Sequence, residues 1–63
     1  MKWTVGDKVL ATDRFGNFRN EAGTVIGFET NILGSPLVIV RLDTGSERGT
    51  CFYEDELTPV KEP

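Results

Sequence analysis

The chain is 63 residues long and carries a formal net charge of −3, from seven basic and ten acidic side chains. At this length one domain is expected, hiding only about 60 % of the surface that its unfolded form exposes. Small domains usually need a disulfide, a metal or self-association as a staple. With a single cysteine, Cys51, and no histidine, an internal disulfide is excluded and a zinc centre is not expected.

The basic residues Lys2, Lys8, Arg14, Arg19, Arg41, Arg48 and Lys61 are spread along the chain. Nucleic-acid binding normally requires cations gathered on one face against phosphates, so none is expected. No apolar run approaches the roughly 20 residues that span a bilayer, so membrane insertion is not expected either. The opening "MKWTVGDK" has no apolar core followed by a cleavage site. A lone thiol suits a reducing compartment, and a cytoplasmic location is the expectation.

Glycines at 6, 16, 23, 27, 34, 45 and 49 interrupt every stretch that could sustain a helix. Short β-type runs separated by turn chemistry remain. "DKVLAT" (7–12) reads as the first strand, followed by the long loop "RFGNFRNEA" (14–22) with aromatics at Phe15 and Phe18. "GTVIGFE" (23–29) is the second strand and "TNILGSP" (30–36) the next loop. "LVIVRL" (37–42) is the third strand, "DTGSE" (43–47) a compact turn and "RGTCFY" (48–53) the fourth strand. "EDE" (54–56) makes a single 3₁₀ turn, and "LTPV" (57–60) closes the chain. Pro59 suits a sheet edge, where its missing N–H costs nothing. The expected fold is all-β, a small five-stranded SH3-like barrel with a 3₁₀ turn before the last strand, covering residues 1–63.

Alternation along the strands assigns the faces. Val25, Val38, Val40, Leu42 and Phe52 should point inward, and Phe28 is also expected in the core. Leu37, Ile39, Arg41, Ile26, Cys51 and Tyr53 should point away. An outer face of that kind is normally polar. Here Ile26, Ile39, Cys51 and Tyr53 form an expected apolar patch on neighbouring strands, and contiguous apolar patches mark interfaces. The alternative is that Phe15 or Phe18 of the first loop covers them.

Two resemblances follow from these segments. "GDKV" (6–9), "NEAGTV" (20–25), "VRLD" (40–43) and "FYEDEL" (52–57) make the chain resemble the peripheral subunit of photosystem I that helps ferredoxin dock. That likeness implies an SH3-like barrel and an accessory role in electron transfer, with Arg41 at the position of an arginine implicated in docking. The chain departs from the family in its acidic balance and in a shorter loop between Asp43 and Phe52. "GDKV" and "GTVIGF" followed by Thr30 and Asn31 are similar to the type II, plasmid- and integron-borne dihydrofolate reductases, which are homotetramers of such barrels. In that family a Val-Gln-Ile-Tyr segment builds the active-site pore. Here the segment is Thr50-Cys51-Phe52-Tyr53: only the tyrosine matches, and a thiol cannot supply the paired donor and acceptor of an amide. Ala11 and Thr12 stand where the pore lysine would be.

No catalytic residue is therefore assigned. A thiol nucleophile needs an adjacent base, and no histidine is available to Cys51. The acids Glu54, Asp55 and Glu56 lack the ligand spacing of a calcium loop and are expected to solvate their turn. Phe15, Phe18, Arg41 and Tyr53 are the candidate face for a ligand or partner, since SH3-type barrels bind extended peptides beside the first loop. The expected role is a non-enzymatic interaction or assembly module needing no cofactor. Its partner is a second copy of the chain or another protein, with Ile26, Ile39, Cys51 and Tyr53 at the oligomer interface. The alternatives are a tetrameric pore reductase and an electron-transfer docking subunit.

Overall fold

The computed structural model describes residues 2–45 and 48–60. Five strands form one antiparallel sheet: β1 (Lys8–Ala11), β2 (Glu21–Thr30), β3 (Pro36–Leu42), β4 (Thr50–Tyr53) and β5 (Leu57–Pro59), with a 3₁₀ turn, η1 (Glu54–Glu56), before β5. The order across the sheet is β4-β3-β2-β1-β5. The all-β class, the strand count and the turn before the last strand are as expected. Closure is not: no ladder joins β4 to β5 among the described residues, so the sheet has two edges.

Strand residues alternate between the core and the outside, as the pleat requires. Val9 and Ala11 of β1, Val25 of β2, Val38 and Val40 of β3, Phe52 of β4 and Leu57 of β5 share one cluster with Trp3. Both edge strands contribute to this cluster, so the sheet curls around it. Each fully buried aliphatic or aromatic side chain contributes about 1.5–3 kcal/mol, a large share of the total for a domain this small. Trp3 seals one side of the core: its ring is buried and its indole N–H donates to the Glu54 carbonyl at 3.2 Å.

Gly23 is the position where two strands approach most closely. A Cβ there would stand 2.6 Å from Val40 Cγ1 and 2.8 Å from the Arg41 carbonyl oxygen, so only glycine fits without displacing β3.

β2 is longer than expected. It begins at Glu21 and takes Glu21 and Ala22 from the predicted loop, because both pair with β1. Its pairing with β3 shifts between Val25 and Gly27, a bulge that places one extra residue, Ile26, against the partner strand. Beyond the bulge Phe28 pairs with Val38 on the core side. Yet Phe28 is 40 % exposed, which corrects the expectation that it is a core residue. The β2–β3 hairpin runs past the end of the core there. The turn after β3 is described for Asp43 to Gly45, while Ser46 and Glu47, which complete the predicted "DTGSE" turn, lie outside the described residues. Among the described residues no helix is long and apolar enough to cross a membrane.

The first loop is held from within. The Asp13 carboxylate accepts the Asn17 and Phe18 N–H groups at 2.8 and 3.1 Å. At the loop's base the Thr12 hydroxyl accepts the Asn20 N–H at 2.8 Å and donates to the Asn20 amide oxygen at 3.1 Å. This pairing fixes Asn20 at a positive φ of 50°, where asparagine is among the residues that tolerate it.

Candidate interaction face and sheet edge

The outer side of β2, β3 and β4 brings Ile26, Ile39 and Cys51 together. Ile39 pairs with Cys51 across β3–β4 and with Gly27 across β2–β3, and the bulge sets Ile26 beside that row. A Cβ on Gly49 would meet both the Ile39 and Ile26 side chains, so the two isoleucines touch one spot beneath the Gly49 backbone. Ile26 is 41 % exposed and Cys51 is exposed, while Ile39 is half-buried between them. The first loop does not cover this patch. Phe15 is 78 % exposed. Phe18 turns to the other side of the sheet and packs edge-on against Phe52, with ring centroids 5.6 Å apart.

Tyr53 lies on the same outer side, paired with Leu37, but it is engaged. The Arg14 guanidinium sits 4.3 Å from its ring centre, a cation–π contact. Its hydroxyl accepts the Asn31 amide N–H at 3.3 Å. Glu56 holds this corner together. Its carboxylate accepts the Arg14 N–H at 2.7 Å, the Arg14 Nε–H at 3.3 Å and the Tyr53 N–H at 2.7 Å. Arg14 also pairs with Asp55 at 2.8 Å. The Glu56 side chain is only 8 % exposed. So Glu56 does not solvate the turn, as expected from its sequence; it ties the first loop to the end of β4.

The four residues expected to make one ligand face do not converge. Phe15 projects from the first loop into solvent, whereas Phe18 lines a cavity of about 250 Å³ with Leu42, Thr44, Gly45, Arg48 and Thr50. Arg41 pairs with Thr24, and Thr24 accepts from Lys8 Nζ at 2.9 Å. Arg41 is thus four residues along β3 from Leu37, the partner of Tyr53, a separation of about 13 Å at the usual rise of a strand. Among the described residues no three His, Cys, Asp or Glu side chains are grouped as metal ligands.

A second apolar feature escaped the sequence reading. Ile32 and Leu33, at the tip of the β2–β3 hairpin, are 98 and 87 % exposed. The tip is built, not slack. The Asn31 side-chain oxygen accepts the Leu33 and Ser35 N–H groups at 3.0 and 2.8 Å, and Gly34 N–H donates to the Asn31 carbonyl at 2.9 Å. The signal was the asparagine opening "NILGS", an Asx turn whose side chain replaces a backbone partner.

The hydrogen-bonding sense of each strand can be followed to the edges. Asn31 N–H donates to the Ser35 carbonyl, and Asp43 N–H to the Ala22 carbonyl. Backbone groups alternate sides along a strand, so Leu37, Ile39 and Arg41 bond toward β2. Val38 and Val40 therefore bond toward β4, to Phe52 and Thr50, their partners in register. The groups of Cys51 and Tyr53 are left pointing at the free edge. The Tyr53 N–H confirms this by donating to Glu56 instead of to β3.

No protein-family profile matches the chain, and neither the curated proteins nor the solved structures yield a similar one.

Proposed function

We propose that the protein is a non-catalytic assembly module that associates with a second copy of itself through the outer side of β2, β3 and β4. The observation that carries this reading is the uncharged row of Ile26, Ile39 and Cys51, which the chain's own first loop leaves open. Exposed apolar residues are common singly, but these occupy neighbouring positions on three strands, as an interface requires. Tyr53 borders the row, and its ring is already fixed by Arg14 and Asn31, so little side-chain entropy is lost when it is covered. A domain of this size, without disulfide or metal, also gains most from association as its staple.

Replacement of Ile39 by glutamate tests the reading. Light scattering on eluting wild-type protein should give a mass above that of one chain, rising with concentration, and Ile39→Glu should elute as a folded monomer. Equal masses for the two proteins at every concentration would sink it.

A further inference from the structure

The two edges of the sheet are not equally closed. At the β5 edge Val60 N–H donates inward to the Lys8 carbonyl, and Thr12 N–H donates to the Glu56 carbonyl. By the alternation of a strand, Thr58 then bonds β1, and Leu57 and Pro59 face outward. Leu57 N–H is already held by the Glu54 carbonyl, and proline has no N–H to offer. Among the described residues the β5 edge thus presents no donor. At the β4 edge the Tyr53 N–H is likewise held, by Glu56. Within β4 that leaves the N–H and C=O of Cys51 as the outward pair with no partner for either group among the described residues. The strand that displays them, Thr50-Cys51-Phe52-Tyr53, has no charge, no proline and no bulge, the devices that normally blunt an edge.

We infer that β4 pairs antiparallel with β4 of a second copy, across a twofold axis at Cys51. The edge is a contact beside the outer face proposed above, and its use by a second copy rests on the reading that the chain self-associates. The register follows from the backbone alone. Paired residues of an antiparallel sheet share a face, so outward-pointing Cys51 must meet an outward-pointing residue of the other copy. Only odd-numbered residues of β4 direct their hydrogen bonds to this edge. Pairing Cys51 with Cys51 of the second copy satisfies both conditions and forms two reciprocal N–H···O=C bonds. An axis at Phe52 fails, because Phe52 spends its groups on Val38 of β3.

The same register makes the surroundings compatible. Ile39 lies beside Cys51 in each copy, so the apolar rows of the two sheets run together across the axis. An extended peptide from another protein would use the same backbone groups, but it would lack this reciprocal match.

The test separates the edge from the face. Cys51→Pro removes the outward N–H and leaves the β3 ladder intact, since the N–H of residue 51 is not used there. Cys51→Ser keeps the N–H. Dissociation constants from sedimentation equilibrium should rise about 10- to 100-fold more for Cys51→Pro, which loses two hydrogen bonds across the axis, than for Cys51→Ser, which changes only the side chain in the outer row. Amide hydrogen exchange on the wild-type chain provides a second readout that does not depend on the proline variant folding. The Cys51 amide should be protected at dimer concentrations and should exchange rapidly on dilution to monomer. A wild-type dimer whose Cys51 amide exchanges rapidly would overturn the edge pairing while leaving association through the face. A wild type that stays monomeric at all concentrations would overturn both.

Discussion

Glu56 does more for this structure than its place in an acidic triplet suggests. One carboxylate receives the Arg14 and Tyr53 N–H groups and the Arg14 side chain, at a position almost closed to water. Removing it leaves two backbone donors without acceptors, and bonds to a charged acceptor are the costly ones to lose. Glu56→Ala should therefore destabilise the domain by about 2–3 kcal/mol in urea denaturation. Arg14→Ala should cost only about 0.5 kcal/mol, because its pair with Asp55 is exposed to solvent. Equal losses for the two variants would show that the side-chain ion pair, and not the backbone capture, holds the corner. The sequence carried a trace of this arrangement. Tyr53 and Glu56 have the spacing of a capping box, but a tyrosine in the first position hides the pattern. Nothing in the order of residues shows that Arg14, 42 positions away, shares the same acceptor.

At the scale of the elements, apolar alternation located the strands and their faces because a curled sheet demands it. Val25, Val38, Val40 and Phe52 are buried, and Ile26, Ile39 and Cys51 point away. Two things were not legible. The bulge at Ile26 depends on pairing with β3, which single-strand periodicity does not report. The overhang of the β2–β3 hairpin depends on where the core stops, so Phe28 read as a core residue by composition alone. The difference has a measurable consequence. Phe52→Ala should cost about 3–5 kcal/mol, enough to unfold a domain of this size, whereas Phe28→Ala should cost about 1 kcal/mol, since much of its ring is already in water. Thermal melts of the two variants check this. Gly23→Ala should also lower the melting temperature, because its methyl group would press on the β3 backbone. The Arg41 carbonyl cannot yield as a flexible side-chain end would.

For the whole molecule, the arrangement of protected and unprotected surface decides how it is used. Among the described residues the β5 edge offers no donor, the first loop is tied down by Asp13, Thr12 and Glu56, and the core is sealed by Trp3. What stays open is coherent: the outer row of Ile26, Ile39 and Cys51, the β4 edge beside it, and the rigid hairpin tip of Ile32 and Leu33. The tip contributes nothing to the core, so Ile32→Ser with Leu33→Ser should change stability by less than about 0.5 kcal/mol. A larger loss in denaturant titration would mean that the tip packs against its own chain. The residues expected to form a ligand face, Phe15, Phe18, Arg41 and Tyr53, were legible as residue types but not as a site, because register places Arg41 and Tyr53 far apart on β3 and β4.

The proposed self-association is tested by the molar mass from sedimentation equilibrium across a wide concentration series. A reversible rise is expected, from the mass of one 63-residue chain toward twice that value. A single-chain mass that holds up to millimolar concentration would contradict it.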